Sequence, residues 1–110
     1  MSENNIIIRI QGESDLSAAQ SQIRELTARN KELEAQMKAV SKAEQEDAES
    51  IRQLGLQGSQ LSAALRKNTE HYKEERKELQ KSVDANKQNI VTLQKSVSQY
   101  NLLSGATGKT

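Results

Sequence analysis

The chain has 110 residues, 34% of them hydrophobic and only 2% aromatic, with no Phe, Trp, Pro or Cys. That composition excludes a thick aromatic core, a disulfide framework and a thiolate metal site. A formal net charge of +1 excludes a nucleic-acid binder that works by bulk charge alone.

The first element is "NIIIRIQG". Ile6, Ile8 and Ile10 share one face of an extended segment, Ile7 and Arg9 share the other, and Gly12 ends it. This density of β-branched residues predicts a short N-terminal β-strand within an arm over residues 1–12. No second strand-like run exists, so the isoleucines are expected to bind a partner, to pack on helices or to stay loose. Ile6, Ile8 and Ile10 are the candidate partner-binding residues. The run is too short for a signal peptide or a membrane span, and the chain reads as soluble and intracellular at synthesis.

Residues 13–104 read as a coiled-coil region. Ser14 or Asp15 is placed to cap its first amides. In "ESDLSAAQSQIRELTARNKELEAQMKAV" a heptad places Leu16, Ile23, Asn30 and Met37 at a, and Ala19, Leu26, Leu33 and Val40 at d. The pattern weakens at "SKAEQEDAES", where Glu44 and Asp47 take core positions, and recovers at Ile51 and Leu54.

"LGLQGSQ" interrupts the helix, and a turn is expected at 55–59 with Ser59 as the next N-cap. Beyond it, Leu65, Tyr72, Leu79, Asn86, Leu93 and Tyr100 recur at d. Thr69, Arg76, Val83, Ile90 and Val97 recur at a. The two heptads are out of phase by four residues. A single rod would need a stutter, whereas a turn lets each helix keep its own phase.

Folding the chain about Gly58 pairs Leu16 with Tyr100, Ile23 with Leu93, Leu26 with Ile90, Leu33 with Val83 and Met37 with Leu79. It also sets Asn30 against Asn86, and the acidic "EQED" beside the basic "YKEERK". The predicted fold class is therefore all-α, two long helices in an antiparallel coiled-coil hairpin. The alternative is one continuous coiled-coil helix. Arms of roughly 40 residues would each be about 60 Å long. Gly105 is expected to stop the second helix, leaving 105–110 as a flexible tail. Small and amide-bearing residues flank the seam, leaving room for further helices, so self-association is expected.

No catalytic, cofactor or metal site emerges. The single His71 lies in a charged stretch and has no cysteine or second histidine to share a metal. "SGATGKT" imitates a phosphate-binding loop, but Leu103 stands where that motif needs its first glycine. Glu74 and Glu75 read as a solvated helix face. Arg66, Lys67, Lys73, Arg76, Lys77 and Lys81 are offset by Glu70, Glu74, Glu75 and Glu78, which makes that face solvated rather than a nucleic-acid track.

The order of features, a short "NIIIRIQG" strand, a capped coiled coil, a Gln/Ser/Lys-rich helix and then "YNLLSGATGKT", resembles the N-terminal segment of bacteriophage tail tape measure proteins. The resemblance implies a non-enzymatic structural module that lies in the growing tail tube and takes part in setting its length. It implies tail tube or tail assembly proteins as partners, and the host cytoplasm, then the virion tail, as location. It also implies that the chain is a piece or short relative of something longer, and it carries over no functional residue. The alternatives are a generic phage or bacterial scaffolding or assembly-chaperone coiled coil and, less favoured, a coiled coil associated with nucleic acid. No small-molecule substrate, cofactor or membrane partner is expected.

Overall fold

The computed structural model describes residues 9–108, with side chains described through 103. Two helices account for nearly all of it: α1, Glu13–Gln53, and α2, Ser59–Gly108. Both are rich in Ala, Leu, Gln, Glu and Lys, which favour helix, and no proline interrupts them.

Local chemistry sets the helix ends. The Leu16 amide donates to the Gly12 carbonyl at 3.0 Å, which makes Gly12 the N-cap of α1 in place of the expected Ser14 or Asp15. Asp15 instead lies in the first turn, and its carboxylate accepts from the Gln11 amide at 3.1 Å. That bond satisfies a free donor and sets a negative charge at the positive end of the helix dipole. At the other end the Leu54 amide closes a tighter turn onto the Ile51 carbonyl at 3.1 Å, and Gly55 follows at φ 81°. This is a left-handed C-terminal stop of the kind glycine adopts without a Cβ penalty.

Gly58, at φ 61°, supplies the carbonyl that accepts from Ser62 N–H at 3.1 Å. The N-cap of α2 is thus Gly58, and Ser59 is the first helical residue. The backbone conformation decides this: Gly58 holds a left-handed turn that serine takes only at a cost. At the far end α2 runs through Gly105 to Gly108. A glycine inside a helix costs only about 1 kcal/mol, so Gly105 does not by itself end one.

The expected N-terminal strand is not seen among the described residues. Arg9–Gln11 are irregular and Gly12 bends into α1. No other described residue is in a strand, so no edge is on hand to pair with this one. Ile6 and Ile8 lie outside the described residues, and Ile10 is half-buried.

The chain divides into two units, residues 1–30 with 84–110, and residues 31–83. In the first, the terminal unit, Ala19 and Leu93 are completely buried, and Leu16, Ile23, Leu26, Ile90, Val97 and Tyr100 are half-buried around them. Asn86 Nδ2 donates to Asn30 Oδ1 at 2.9 Å, the meeting expected from folding the chain about Gly58. Asn30 is only 7% exposed, so the bond offsets a desolvation cost that an unpaired amide would carry in full.

The second unit contains the turn, and we call it the tip unit. Val83 is its buried apolar residue, with Leu33, Met37, Val40, Ile51, Leu65 and Leu79 half-buried. Here α1 and α2 run antiparallel: Glu44 meets Arg76, and three residues further along α1, Asp47 meets Tyr72, four residues back along α2.

Candidate functional site: a polar insert and two opposed grooves

The acidic stretch that breaks the first heptad is where the tip unit gathers its polar chemistry. Glu44 takes a core-type position and is half-buried, so its carboxylate needs a partner. Arg76, also in a core-type position on α2, supplies it with an ion pair at 2.5 Å. Asn68 Nδ2 donates to the Glu44 main-chain carbonyl at 3.1 Å. Asp47 is exposed and accepts the hydroxyl of Tyr72. The breaks in the two hydrophobic patterns are therefore complementary, with polar residues on α1 meeting polar residues on α2.

The same contacts set the chemistry of Tyr72. Its phenol is pushed up to about 12. The hydrogen bond to Asp47 is the largest cause, followed by partial burial and then the negative charges of Asp47, Glu75 and Glu44. A phenol held protonated in this way is a hydrogen-bond donor at neutral pH, not a nucleophile or a proton acceptor. Of the other core-type positions in this stretch, Thr69 is exposed rather than in the seam.

Two grooves flank this insert. One, of about 700 Å³, is lined by Lys31, Lys38, Lys42 and Arg76 over Ala35 and Met37, with Glu34 its acidic lining residue. The other, of about 470 Å³, is lined by Glu75 and Glu78 over Ala39, Val40 and Leu79, and no cation lines it. At 100° per residue, Lys38 and Lys42 fall on one side of the Leu33–Met37–Val40 stripe and Gln36 and Ala39 on the other. The grooves therefore open on opposite faces of the tip unit, one basic and one acidic.

His71 is exposed, bonds Glu75 at 3.0 Å and lies edge-on to the Tyr72 ring, 4.9 Å between centroids. Among the described residues no group of three or more His, Cys, Asp or Glu side chains is placed to hold a metal. No described helix is long and apolar enough to cross a membrane.

Of the seam residues read from the sequence, Asn30, Val83 and Leu93 are buried. Leu16, Ile23, Leu26, Leu33, Met37, Leu79, Asn86, Ile90 and Val97 are half-buried. One further buried position lies outside the a and d positions of the heptad: Ser96 is 7% exposed, and its hydroxyl donates to the Thr92 carbonyl at 3.2 Å. The inward stripe of α2 there joins buried Leu93 and Ser96 to half-buried Asn89, Ile90, Thr92 and Val97. It is wider than a two-position seam, and the step of four from Asn89 to Leu93 followed by the step of three to Ser96 is the only signal in the sequence that could have found Ser96.

No family model matches this chain, and neither does any curated protein or solved structure.

Proposed function

We propose that this chain is a non-enzymatic structural module, an antiparallel coiled-coil hairpin of the phage tail tape measure type that acts in tail assembly and length determination. The observation that carries the structural half of this reading is the pairing of polar seam residues, Asn30 with Asn86 and Glu44 with Arg76. Polar pairs in a seam cost stability and select one register, which suits a part that must dock in one way. The tail assignment is supported by the layout of the sequence, an isoleucine-rich arm ahead of a heptad helix. In this reading Ile6, Ile8 and Ile10 recruit a tail tube or tail assembly protein, and the helices carry self-association.

The test is removal of the segment from a phage that encodes it. Tails of uncontrolled length, or tubes that fail to assemble, are the expected result. Deleting residues 1–11 alone should leave helicity intact while the chain no longer enters tube-containing particles. Tails of unaltered number and length after removal of the whole segment would overturn the tail reading.

A further inference from the structure

The two grooves of the tip unit have opposite charge and lie on opposite faces. Three lysines, Lys31, Lys38 and Lys42, rim the basic groove and are exposed; the fourth cation, Arg76, is already engaged by Glu44. Glu75 and Glu78 rim the acidic groove and are exposed as well. Their pairings, Glu75 with His71 at 3.0 Å and Glu78 with Lys81 at 3.5 Å, are surface contacts along one helix. Such contacts are worth little and yield readily to a better partner. Each groove also has an apolar floor, Met37 and Ala35 on one side, and Val40, Leu79 and Ala39 on the other.

We infer that the occupant of each groove is a second copy of this chain, the acidic face of one tip unit seated on the basic face of the next. The contact is heterologous, so a pair of copies still presents one free basic face at one end and one free acidic face at the other. Such a contact repeats, closing into a ring or extending as an open stack. The helical stretch 31–53 is about 35 Å long, and a pair of helices is about 20 Å wide. That gives roughly 700 Å² on each side, close to the ~800 Å² per partner of a standard interface. Apolar floors supply the affinity and the charged rims select which face meets which. The inference rests on the reading of the chain as a self-associating module and is independent of its tail role.

The test uses the full chain in two charge-reversed forms, K38E/K42E and E75K/E78K, followed by light scattering after size exclusion across a concentration series. All four positions are exposed. Circular dichroism checks that each variant keeps its helicity, and K38Q/K42Q and E75Q/E78Q stand in for any that does not. The wild-type chain should show a mass that rises with concentration and falls with added salt. Each variant alone should associate at least tenfold more weakly. An equal mixture of the two charge-reversed forms should regain mass, because each brings the face that the other lacks.

Variants that associate like the wild type would overturn the opposed-face contact and leave self-association standing. Weakened variants whose mixture does not recover would also overturn it. A wild-type chain that stays monomeric at all concentrations would overturn both this inference and the reading beneath it. So would a monomer whose lysine face binds a DNA duplex instead.

Discussion

Truncating the paired asparagines isolates the bond that sets register in the terminal unit. Asn30 is 7% exposed, Asn86 is half-buried, and the bond between them is 2.9 Å. A buried neutral hydrogen bond contributes about 1 kcal/mol net, and an amide left unpaired costs about 1–3 kcal/mol. Asn86 can turn partly to water, which sets the expected coupling at the low end, about 1 kcal/mol. Asn30→Ala and Asn86→Ala should each lose about 1–2 kcal/mol. The double variant should lose less than their sum by about 1 kcal/mol.

The assay is urea unfolding followed by circular dichroism, at one protein concentration so that the proposed self-association is held constant. In a thermal scan each kcal/mol corresponds to roughly 4–8 °C. Asn30→Leu with Asn86→Leu should raise the midpoint and loosen the register, visible as more than one oligomeric species. Strictly additive single substitutions would refute the pairing.

Further outcomes follow from the ends, the core and the polar insert. Gly55→Ala and Gly58→Ala meet open space, so their cost is conformational, about 1–2 kcal/mol each from φ 81° and 61°, read as a lower melting temperature; an unchanged or higher one would contradict the turn. Leu93→Ala, at a fully buried site, should cost about 2–5 kcal/mol, whereas Leu102→Ala, 73% exposed, should stay within about 0.5 kcal/mol. Equal effects at the two sites would contradict the assigned core. In a Tyr100→Phe background, tyrosinate absorbance should report Tyr72 ionising near 12. Its folded value lies above the ordinary 10.0, so its stabilising contribution is complete below pH 10 and is lost as pH rises through about 12. Asp47→Asn should move the titration down, and a titration at the ordinary value in the parent would contradict the Tyr72–Asp47 bond.

The helices and their seam were legible because heptad spacing is a direct image of which side chains meet. Even the conflict of phase at the glycines was readable, since two registers that cannot share one straight helix call for a break. The caps were misplaced by a residue or more. Serine and aspartate at those positions carry cap chemistry, but Gly12 and Gly58 take the cap positions through backbone geometry, which composition does not display. Glu44 and Asp47 were visible as faults in the first heptad. What they bond became clear only once Arg76, Asn68 and Tyr72 were set opposite them. Ser96 escaped because a small polar residue beside an apolar position gives no hydrophobic signal. The opposed charge of the two tip faces was hidden for a related reason: Lys31, Lys38 and Lys42 are interleaved along α1 with Glu32, Glu34, Glu44 and Glu46, and Glu75 and Glu78 along α2 with Lys73, Lys77 and Lys81, so neither helix alone reads as strongly basic or acidic.

The central claim is that one molecule folds back at residues 54–58. The chain has no cysteine, so spin labels can be placed cleanly at Gln45→Cys and Lys73→Cys, both exposed and both in the tip unit. Labelled protein is diluted into unlabelled protein so that only distances within a molecule are read. Two packed helices about 10 Å apart, with the label arms added, give a distance on the order of 20 Å. A narrow distribution there is the expected result. A distance near 42 Å, the length of about 28 residues of unbroken helix, would mean that α1 runs straight into α2, and would contradict the fold-back.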